Sequence, residues 1–243
     1  MRQAKLLLLV LVPVLVLASA PTASASGEFW IDFYLGGAFL TKADLEDKSS
    51  FPFTATAKDI KFDNSLAYGG RIGWWTGSLP WLGVALDVFH FNPDVGRQTR
   101  TVVADGLTFP FDISVMDISV TVIGFNFMGR YGLSVSPEFK NGRTQLYAGA
   151  GPAILITKIK DKEGSFADPA GQSDTDTSLG VDVKAGLRFF ITKNWDIFAE
   201  YRFLHGSPEV KFRNDAPPPT TEKVSTTINA HLIGGGISFH FDP

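Results

Sequence analysis

The sequence predicts an all-β fold, an eight-stranded antiparallel up-and-down transmembrane β-barrel. First, eight segments alternate apolar residues with polar or small residues, as strands do whose two faces meet different surroundings. Second, the connections between these segments are alternately long and short. Third, no apolar run after residue 28 approaches the roughly 18 residues that a membrane-spanning helix requires.

The eight predicted strands are of the length that a tilted strand needs to cross a bilayer, about 9–11 residues, with some extension beyond it. No segment fits a helical period better than the alternating one. The strands are 29–40, 66–76, 81–91, 116–133, 144–157, 179–191, 195–206 and 227–241.

The connections orient the predicted barrel. Short turns, 77–80, 134–143 and 192–194, follow the even-numbered strands, as periplasmic turns do in outer-membrane barrels. Long polar connections follow the odd-numbered strands and are expected to be mobile, structureless extracellular loops. These long connections are 41–65, 92–115, 158–178 and 207–226.

Residues 1–26 have the pattern of a secretory signal peptide. Arg2 and Lys5 precede an apolar run, 6–18, and small residues follow, so that cleavage is expected near Ala25 or Ser26. The predicted domains are therefore a signal peptide, 1–26, and a barrel domain, 27–243.

Composition excludes several chemistries. The chain has no cysteine, which excludes disulfides, thiolate metal sites, cysteine nucleophiles and a lipoprotein anchor. Its formal net charge of −3 gives no electrostatic reason to expect nucleic acid as a partner.

Alternation assigns the two faces of each strand. In the stretch WDIFAEYRFLHG (195–206), Ile197, Ala199 and Tyr201 share one face, while Glu200 and Arg202 share the other with Asp196. Because a cation at the lipid midplane costs about 2–4 kcal/mol, the apolar face is expected to meet lipid and the charged face the barrel interior. Aromatic residues near strand ends are expected at the periplasmic rim: Trp30, Trp74, Trp75, Trp81, Trp195, Phe239 and Phe241.

The inward faces carry ionisable side chains of both signs. An eight-stranded barrel is just wide enough for side chains to fill it, so these groups are expected to form a polar plug of salt bridges rather than a wide pore. The predicted interior network consists of Asp32, Arg71, Asp87, Arg130, Asp182, Lys184, Arg188, Glu200 and Arg202.

Strand 116–133 changes parity if its polar residues all face inward. Asp117, Ser119 and Thr121 alternate in one phase, and Asn126 and Arg130 in the other, so a β-bulge is predicted near Val122. A similar irregularity is expected across 234–236.

The run DVKAGLRFFITKNWDIFAEYRFLH (182–205) and the terminal GISFHF (236–241) resemble the outer-membrane β-barrel domain family, the opacity-type eight-stranded surface barrels of Gram-negative bacteria. The resemblance implies an outer-membrane location and no single activity. It also implies that Gly236, Phe239 and Phe241 form a C-terminal signal for the barrel-assembly machinery. Gly234, where a polar residue is usual, and Asp242-Pro243 after the last aromatic depart from that signal.

The leading functional hypothesis is a non-enzymatic structural or surface-interaction role, with the four loops presented to an extracellular partner and lipid and lipopolysaccharide around the barrel. The alternative is a narrow channel for ions or small hydrophobic molecules. A lipid A-modifying enzyme ranks third, because His205 and Ser207 resemble the His-x-Ser of lipid A deacylases but Pro208 replaces the Asn and no acid is well placed. No catalytic, cofactor or metal site is predicted; the histidines and the Asp-rich segment 161–178 lack metal-site spacing.

Overall fold

The computed structural model describes residues 27–47, 55–104, 106–113, 115–163, 171–214 and 220–241. The predicted signal peptide lies outside the described residues. Within the described ranges no helix is long and apolar enough to span a membrane.

A closed antiparallel barrel of eight strands forms the body of the protein, in the order β1-β14-β11-β10-β9-β8-β5-β4. The predicted fold class is therefore confirmed, and each predicted strand has its counterpart. The barrel strands are β1 (Glu28–Leu40), β4 (Ser65–Trp75), β5 (Leu82–Phe91), β8 (Met116–Gly132), β9 (Thr144–Asp161), β10 (Ser173–Phe190), β11 (Trp195–Gly206) and β14 (Ile228–Phe241).

Closure of the barrel depends on the first and last strands, since β1 pairs with β14 from Phe29↔Phe241 to Leu40↔Ala230. No strand of this barrel therefore has a free edge, as a lipid environment requires. Both ends of the paired chain lie on the side of the short turns.

The lipid-facing band has the height of a bilayer core. On β9 the outward side chains run from Leu146 to Ile156 without a charge, and Lys158 is the first charged one. Ten residue steps of about 3.4 Å, tilted by about 45°, give a band about 24 Å high, close to the roughly 25 Å of transmembrane barrels.

The long connections are not structureless, and this prediction was wrong. A second sheet of six strands, the outer sheet, has the order β12-β13-β2-β3-β6-β7. Its strands are β2 (Ala43–Asp47), β3 (Ala55–Ile60), β6 (Gln98–Ala104), β7 (Leu107–Ile113), β12 (Glu209–Asn214) and β13 (Thr220–Thr226).

Three of the four long connections thus form hairpins that join edge to edge, β13 to β2 and β3 to β6. The remaining connection extends the barrel itself, because β9 continues to Asp161 and β10 begins at Ser173. The backbone N–H and C=O groups of a solvated loop would bond to water, but here they bond to neighbouring strands. The extracellular part is therefore mostly β-sheet.

The two irregularities predicted within barrel strands are absent from the described pairing. On β8, the pairs Leu82↔Gly129 and Phe91↔Val120 belong to one unbroken register with β5. On β14, the register with β1 likewise continues through Gly234, Gly235 and Gly236. The polar residues of β8 therefore do not all share the inward face.

Glycines on neighbouring strands make room for large inward side chains. A Cβ on Gly73 would lie 2.2 Å from the ring of Trp30, and one on Gly83 would lie 2.6 Å from the ring of Trp75. A Cβ on Gly186 would lie 2.6 Å from the ring of Tyr147. The narrow lumen accommodates these rings because the adjacent wall has no side chain there.

Candidate functional site: a lumen in two halves

The periplasmic half of the lumen holds the nine ionisable residues of the predicted interior network. All nine face inward, and each is at most 9% exposed. With the partners described below they form the polar plug, a continuous set of ion pairs and hydrogen bonds across the barrel.

Arg71 lies at the centre of the plug. Its Nε donates to Asp32 Oδ2 (2.7 Å) and its Nη1 donates to Glu200 Oε2 (2.8 Å). The Tyr147 hydroxyl donates to the same Glu200 oxygen (2.9 Å). Strands β1, β4, β9 and β11 are thereby joined through the lumen.

Asp87 is the main acceptor of the upper layer of the plug. Lys184, the Tyr34 hydroxyl and Arg202 all donate to its carboxylate, Arg202 Nη2 at 2.6 Å. Lys184 also lies 3.0 Å from Asp182. This layer joins β5, β10, β11 and β1.

The lower layer connects the plug to the periplasmic mouth. Arg188 lies 3.1 Å from both Asp32 and Asp196. The two ring nitrogens of His240 face Asp196 (2.6 Å) and Glu28 (2.5 Å). Arg130 reaches the same Glu28 (2.6 Å).

Five members of the plug were missed by the sequence analysis as network residues: Glu28, Tyr34, Tyr147, Asp196 and His240. The sequence does indicate them, because each occupies an inward-facing position in the alternation of its strand. Glu28 and Tyr34 share the phase of Asp32, and Asp196 shares that of Glu200. The tyrosines were not predicted because tyrosine is found on both the inward and the lipid-facing sides of barrel strands.

The plug is close to electrically balanced. Its carboxylates are Glu28, Asp32, Asp87, Asp182, Asp196 and Glu200, and its cations are Arg71, Arg130, Lys184, Arg188 and Arg202, with His240 between two of the carboxylates. Burying charges is costly unless each finds a partner, and here they do. The paired side chains fill this half of the lumen.

Two indole rings close the periplasmic end from inside. Trp30 and Trp75 stack at 4.7 Å between centroids, and they are 0% and 2% exposed. They lie near the periplasmic rim as predicted, but they face the lumen and not the membrane interface. Trp74, Trp81 and Trp195 do face outward there, at 37–56% exposure.

The extracellular half of the lumen is apolar. On β8 the inward residues are Ile118, Val120 and Val122, so the predicted inward placement of Asp117, Ser119 and Thr121 was wrong. We call this filling the apolar column; its members within the barrel include Phe89, Phe91, Val120, Val122, Leu155, Leu204 and Leu232.

The apolar column continues without a break into the core of the outer sheet. One cluster of buried residues includes both the barrel residues and Leu45, Val102, Val210 and Phe212 of the outer strands. The inward face of upper β8 is apolar because it packs against this core. The lumen thus changes character at one level, where the Arg202 guanidinium lies 4.2 Å from the centre of the Phe89 ring.

The wall is interrupted beside the top of the plug. The β8–β9 ladder pairs Gly124 with Ala153 and Phe127 with Ala150, but neither of the two positions between them. Pro152, which has no N–H to donate, lies in this gap. On the inner side, Asn126 donates to Asp182 (3.2 Å) at the top of the plug.

Three of the histidines, His90, His205 and His231, lie apart from the plug and have no acidic partner among the described residues. His205 Nδ1 lies 2.7 Å from Asn229 Oδ1, so an amide stands where a triad would need an acid. His90 contacts Thr121, and His231 contacts Tyr201. In the described part of the chain, no group of three His, Cys, Asp or Glu side chains is arranged to hold a metal ion.

The predicted assembly-signal residues lie at the periplasmic end of β14. Phe239 packs on Trp195 (4.9 Å between centroids) and Phe241 packs on Phe29 (5.6 Å). A Cβ on Gly236 would lie 2.8 Å from the ring of Phe198. These contacts give the three residues a structural role; recognition by the assembly machinery stays a prediction.

Solved structures with the same fold include the outer membrane protein OprG from Pseudomonas aeruginosa. It matches at 15% identity, over 90% of this chain and 98% of that chain, with a TM-score of 0.57. AlkL in lipid bilayers matches at 15% identity, 92% and 95% coverage and a TM-score of 0.48. Neisserial surface protein A matches at 16% identity, over 88% of this chain and 97% of that chain, with a TM-score of 0.44. At such identities the likeness to OprG shows the fold alone. No curated protein sequence matches the chain significantly.

A family model, the outer membrane protein beta-barrel domain, matches residues 10–241. This match covers nearly the whole chain and agrees with the closed barrel and its apolar outer band. The chain therefore belongs to the outer membrane protein β-barrel domain family and is a protein of the bacterial outer membrane.

Proposed function

We propose that the protein is a passive entry route for small hydrophobic molecules, the alternative from sequence analysis that the geometry supports best. The observation that carries it is the division of the lumen into an apolar extracellular half and a charged periplasmic half. A barrel that only presents loops could be filled with ion pairs throughout.

The apolar column offers a hydrophobic molecule a favourable environment from the outer sheet to the top of the plug. Its side chains fill the space, so passage requires them to change rotamer, which Leu155 and Leu204 can do within surroundings that are otherwise apolar. On the periplasmic side of Phe89 the buried charges stop such a molecule, because separating an ion pair leaves buried charges without partners, which costs several kcal/mol. Ions are stopped in both halves.

The unpaired positions of β8 and β9 provide the exit. A molecule stopped at the plug lies next to the inward residues Asn126 and Gly151, where the ladder lacks two pairs, and the outward residues Phe125 and Pro152 face the membrane core. The strands are in contact here, since a Cβ on Gly151 would lie 1.8 Å from the Phe125 carbonyl oxygen. Opening therefore requires strand separation, and the missing pairs lower its cost.

Because the chain has no native cysteine, a reversible lock can test this exit. Phe127→Cys with Ala150→Cys joins β8 to β9 beside the gap, and the Cα spacing of a strand pair suits a disulfide. The matched control, Val183→Cys with Phe203→Cys, joins β10 to β11 at the same height. Uptake of a fluorescent apolar probe by intact cells is the readout.

We expect oxidation to stop uptake through the β8–β9 lock, a reductant to restore it, and the control lock to have no effect. Cells with the native protein that take up the probe no faster than cells without it would overturn the route. Uptake that persists through the oxidised β8–β9 lock would overturn the exit.

A second candidate, surface interaction, is favoured by one feature of the outer sheet. On β7, Leu107, Phe109 and Phe111 are 70%, 42% and 37% exposed, although β7 lies at the edge of that sheet. Exposed apolar strips of this kind often contact partners. Replacing 98–113 by a short Gly-Ser turn should abolish attachment to host cells or matrix under this candidate; unchanged attachment contradicts it.

A further inference from the structure

Three adjacent barrel strands change from apolar to polar at one height on their outward faces. The last fully apolar level consists of Ile154 on β9 with its partners Ile123 and Leu179. One level further out, Ile156 pairs with Thr121 and Thr177. This height is the extracellular limit of the lipid-facing band.

Two lysines stand directly above that limit. Lys158 is exposed and pairs with Ser119 on β8 and Thr175 on β10. Lys160, also exposed, follows on the same face. We call Lys158, Lys160, Ser119 and Thr175 the lysine patch.

The lysine patch has cations without protein partners. Asp117, the strand partner of Lys160, is already paired with Lys162 (2.7 Å). Across the described ranges, neither the Lys158 nor the Lys160 side chain has a hydrogen bond or ion pair. Their ammonium groups and the neighbouring hydroxyls are free to bind an anion.

The dimensions of the patch fit a phosphorylated headgroup. Two residues along one strand are about 6.7 Å apart, and three strands span about 9.6 Å. Ammonium groups and hydroxyls are suitable donors to phosphate oxygens. The occupant must also have acyl chains that continue downward along Ile154, Ile156 and Leu179, because the patch is continuous with the lipid-facing band.

We propose that the lysine patch binds the phosphate groups of lipid A in the outer leaflet, with the acyl chains packed on the apolar face of β8, β9 and β10. The site is specific to one side of the membrane, because at the periplasmic end the exposed lysines Lys140 and Lys193 lie on turns. The proposal is independent of any passage through the lumen.

Binding of purified lipid A to the full mature barrel in detergent tests the proposal. Lys158→Ala with Lys160→Ala is expected to weaken binding by about 25-fold, at roughly fivefold for each lysine. Lys140→Ala with Lys193→Ala, which removes the same charge at the other end, should leave binding unchanged. Lys158→Arg with Lys160→Arg should retain it.

Two further arms identify the chemistry. Lipid A stripped of its phosphates should bind the native protein as weakly as intact lipid A binds the double alanine variant. Inorganic phosphate at the same concentration should not compete. Folding of each variant is checked by gel mobility with and without boiling, and the single Lys158→Ala variant serves if the double one does not fold.

Equal binding by the native and double alanine proteins would overturn the proposal. So would an equal loss in the Lys140/Lys193 control, equal affinity for dephosphorylated lipid A, or full competition by inorganic phosphate.

Discussion

Arg71 and Glu200 lie 129 residues apart in the chain and form a 2.8 Å ion pair in the middle of the barrel. The pair joins β4 to β11 across the lumen, where no backbone hydrogen bond can reach. Both side chains are almost fully removed from solvent. The plug therefore acts as a set of cross-braces on a wall that is held together only by neighbouring strands.

Glu200→Leu is expected to destabilise the barrel by about 3–5 kcal/mol, because Arg71 and Arg202 lose a carboxylate inside the lumen. Urea unfolding of the refolded protein in detergent micelles measures the change. Glu138→Leu, on an exposed periplasmic turn, is the control and should change stability by less than about 0.5 kcal/mol. Similar losses in the two variants would show that the plug does not brace the barrel.

Gly73→Ala is expected to destabilise the barrel by about 1–3 kcal/mol through overpacking. The added methyl would lie 2.2 Å from Trp30, which is itself stacked on Trp75 and cannot withdraw. Unfolding in urea gives the size of the loss.

A second substitution separates this clash from a general effect on the strand. The double variant Trp30→Leu with Gly73→Ala should lose less free energy of unfolding than the sum of the losses in the two single variants, because the smaller side chain leaves room for the methyl. Strict additivity would contradict the steric explanation. Ala185→Val, on the lipid-facing side of β10, is a neutral control.

Strand positions and barrel closure were predictable from the sequence because lipid imposes a strict alternation. At Ile197, Ala199 and Tyr201 the outward face must be apolar at every second residue, and so the register can be read directly. The nine inward charges follow from the same parity. Their particular partners do not, since pairs such as Arg71 with Glu200 depend on how the barrel closes.

The apolar column and the outer sheet were not predictable from alternation. The prediction assumed a polar interior throughout, which required a bulge at Val122 to bring Ser119 inward. Upper β8 instead faces a core shared with Leu45 and Val102, and nothing local in its sequence reveals that partner. Polar composition made the long connections look unpaired, although hairpins with one buried face also contain many polar residues.

The β12 edge of the outer sheet is held by two acidic side chains of β10. Asp176 accepts a hydrogen bond from the Glu209 N–H (3.0 Å), and Asp174 accepts one from the Lys211 N–H (2.7 Å). We expect Asp174→Ala with Asp176→Ala to speed hydrogen exchange at these two amides without changing exchange within the barrel. Ser173→Ala is the control. Unchanged protection at Glu209 and Lys211 would contradict this role.

Arg97 and Glu163 link two extracellular connections at their exposed surface (2.7 Å). The hydrogen bond from Arg97 lowers the pKa of the Glu163 carboxyl below its ordinary value. A lowered carboxyl pKa contributes stability above the unfolded pKa of about 4.3, and that contribution is lost as the pH falls through the folded pKa. The link should therefore persist at neutral pH and weaken in acid.

NMR of the Glu163 carboxyl carbon can follow this titration. The midpoint should lie below the ordinary value for a glutamate, and Arg97→Ala should move it upward. Arg100→Ala, whose side chain bonds Gln98 instead, should not, and a midpoint that Arg97→Ala leaves in place would disprove the coupling.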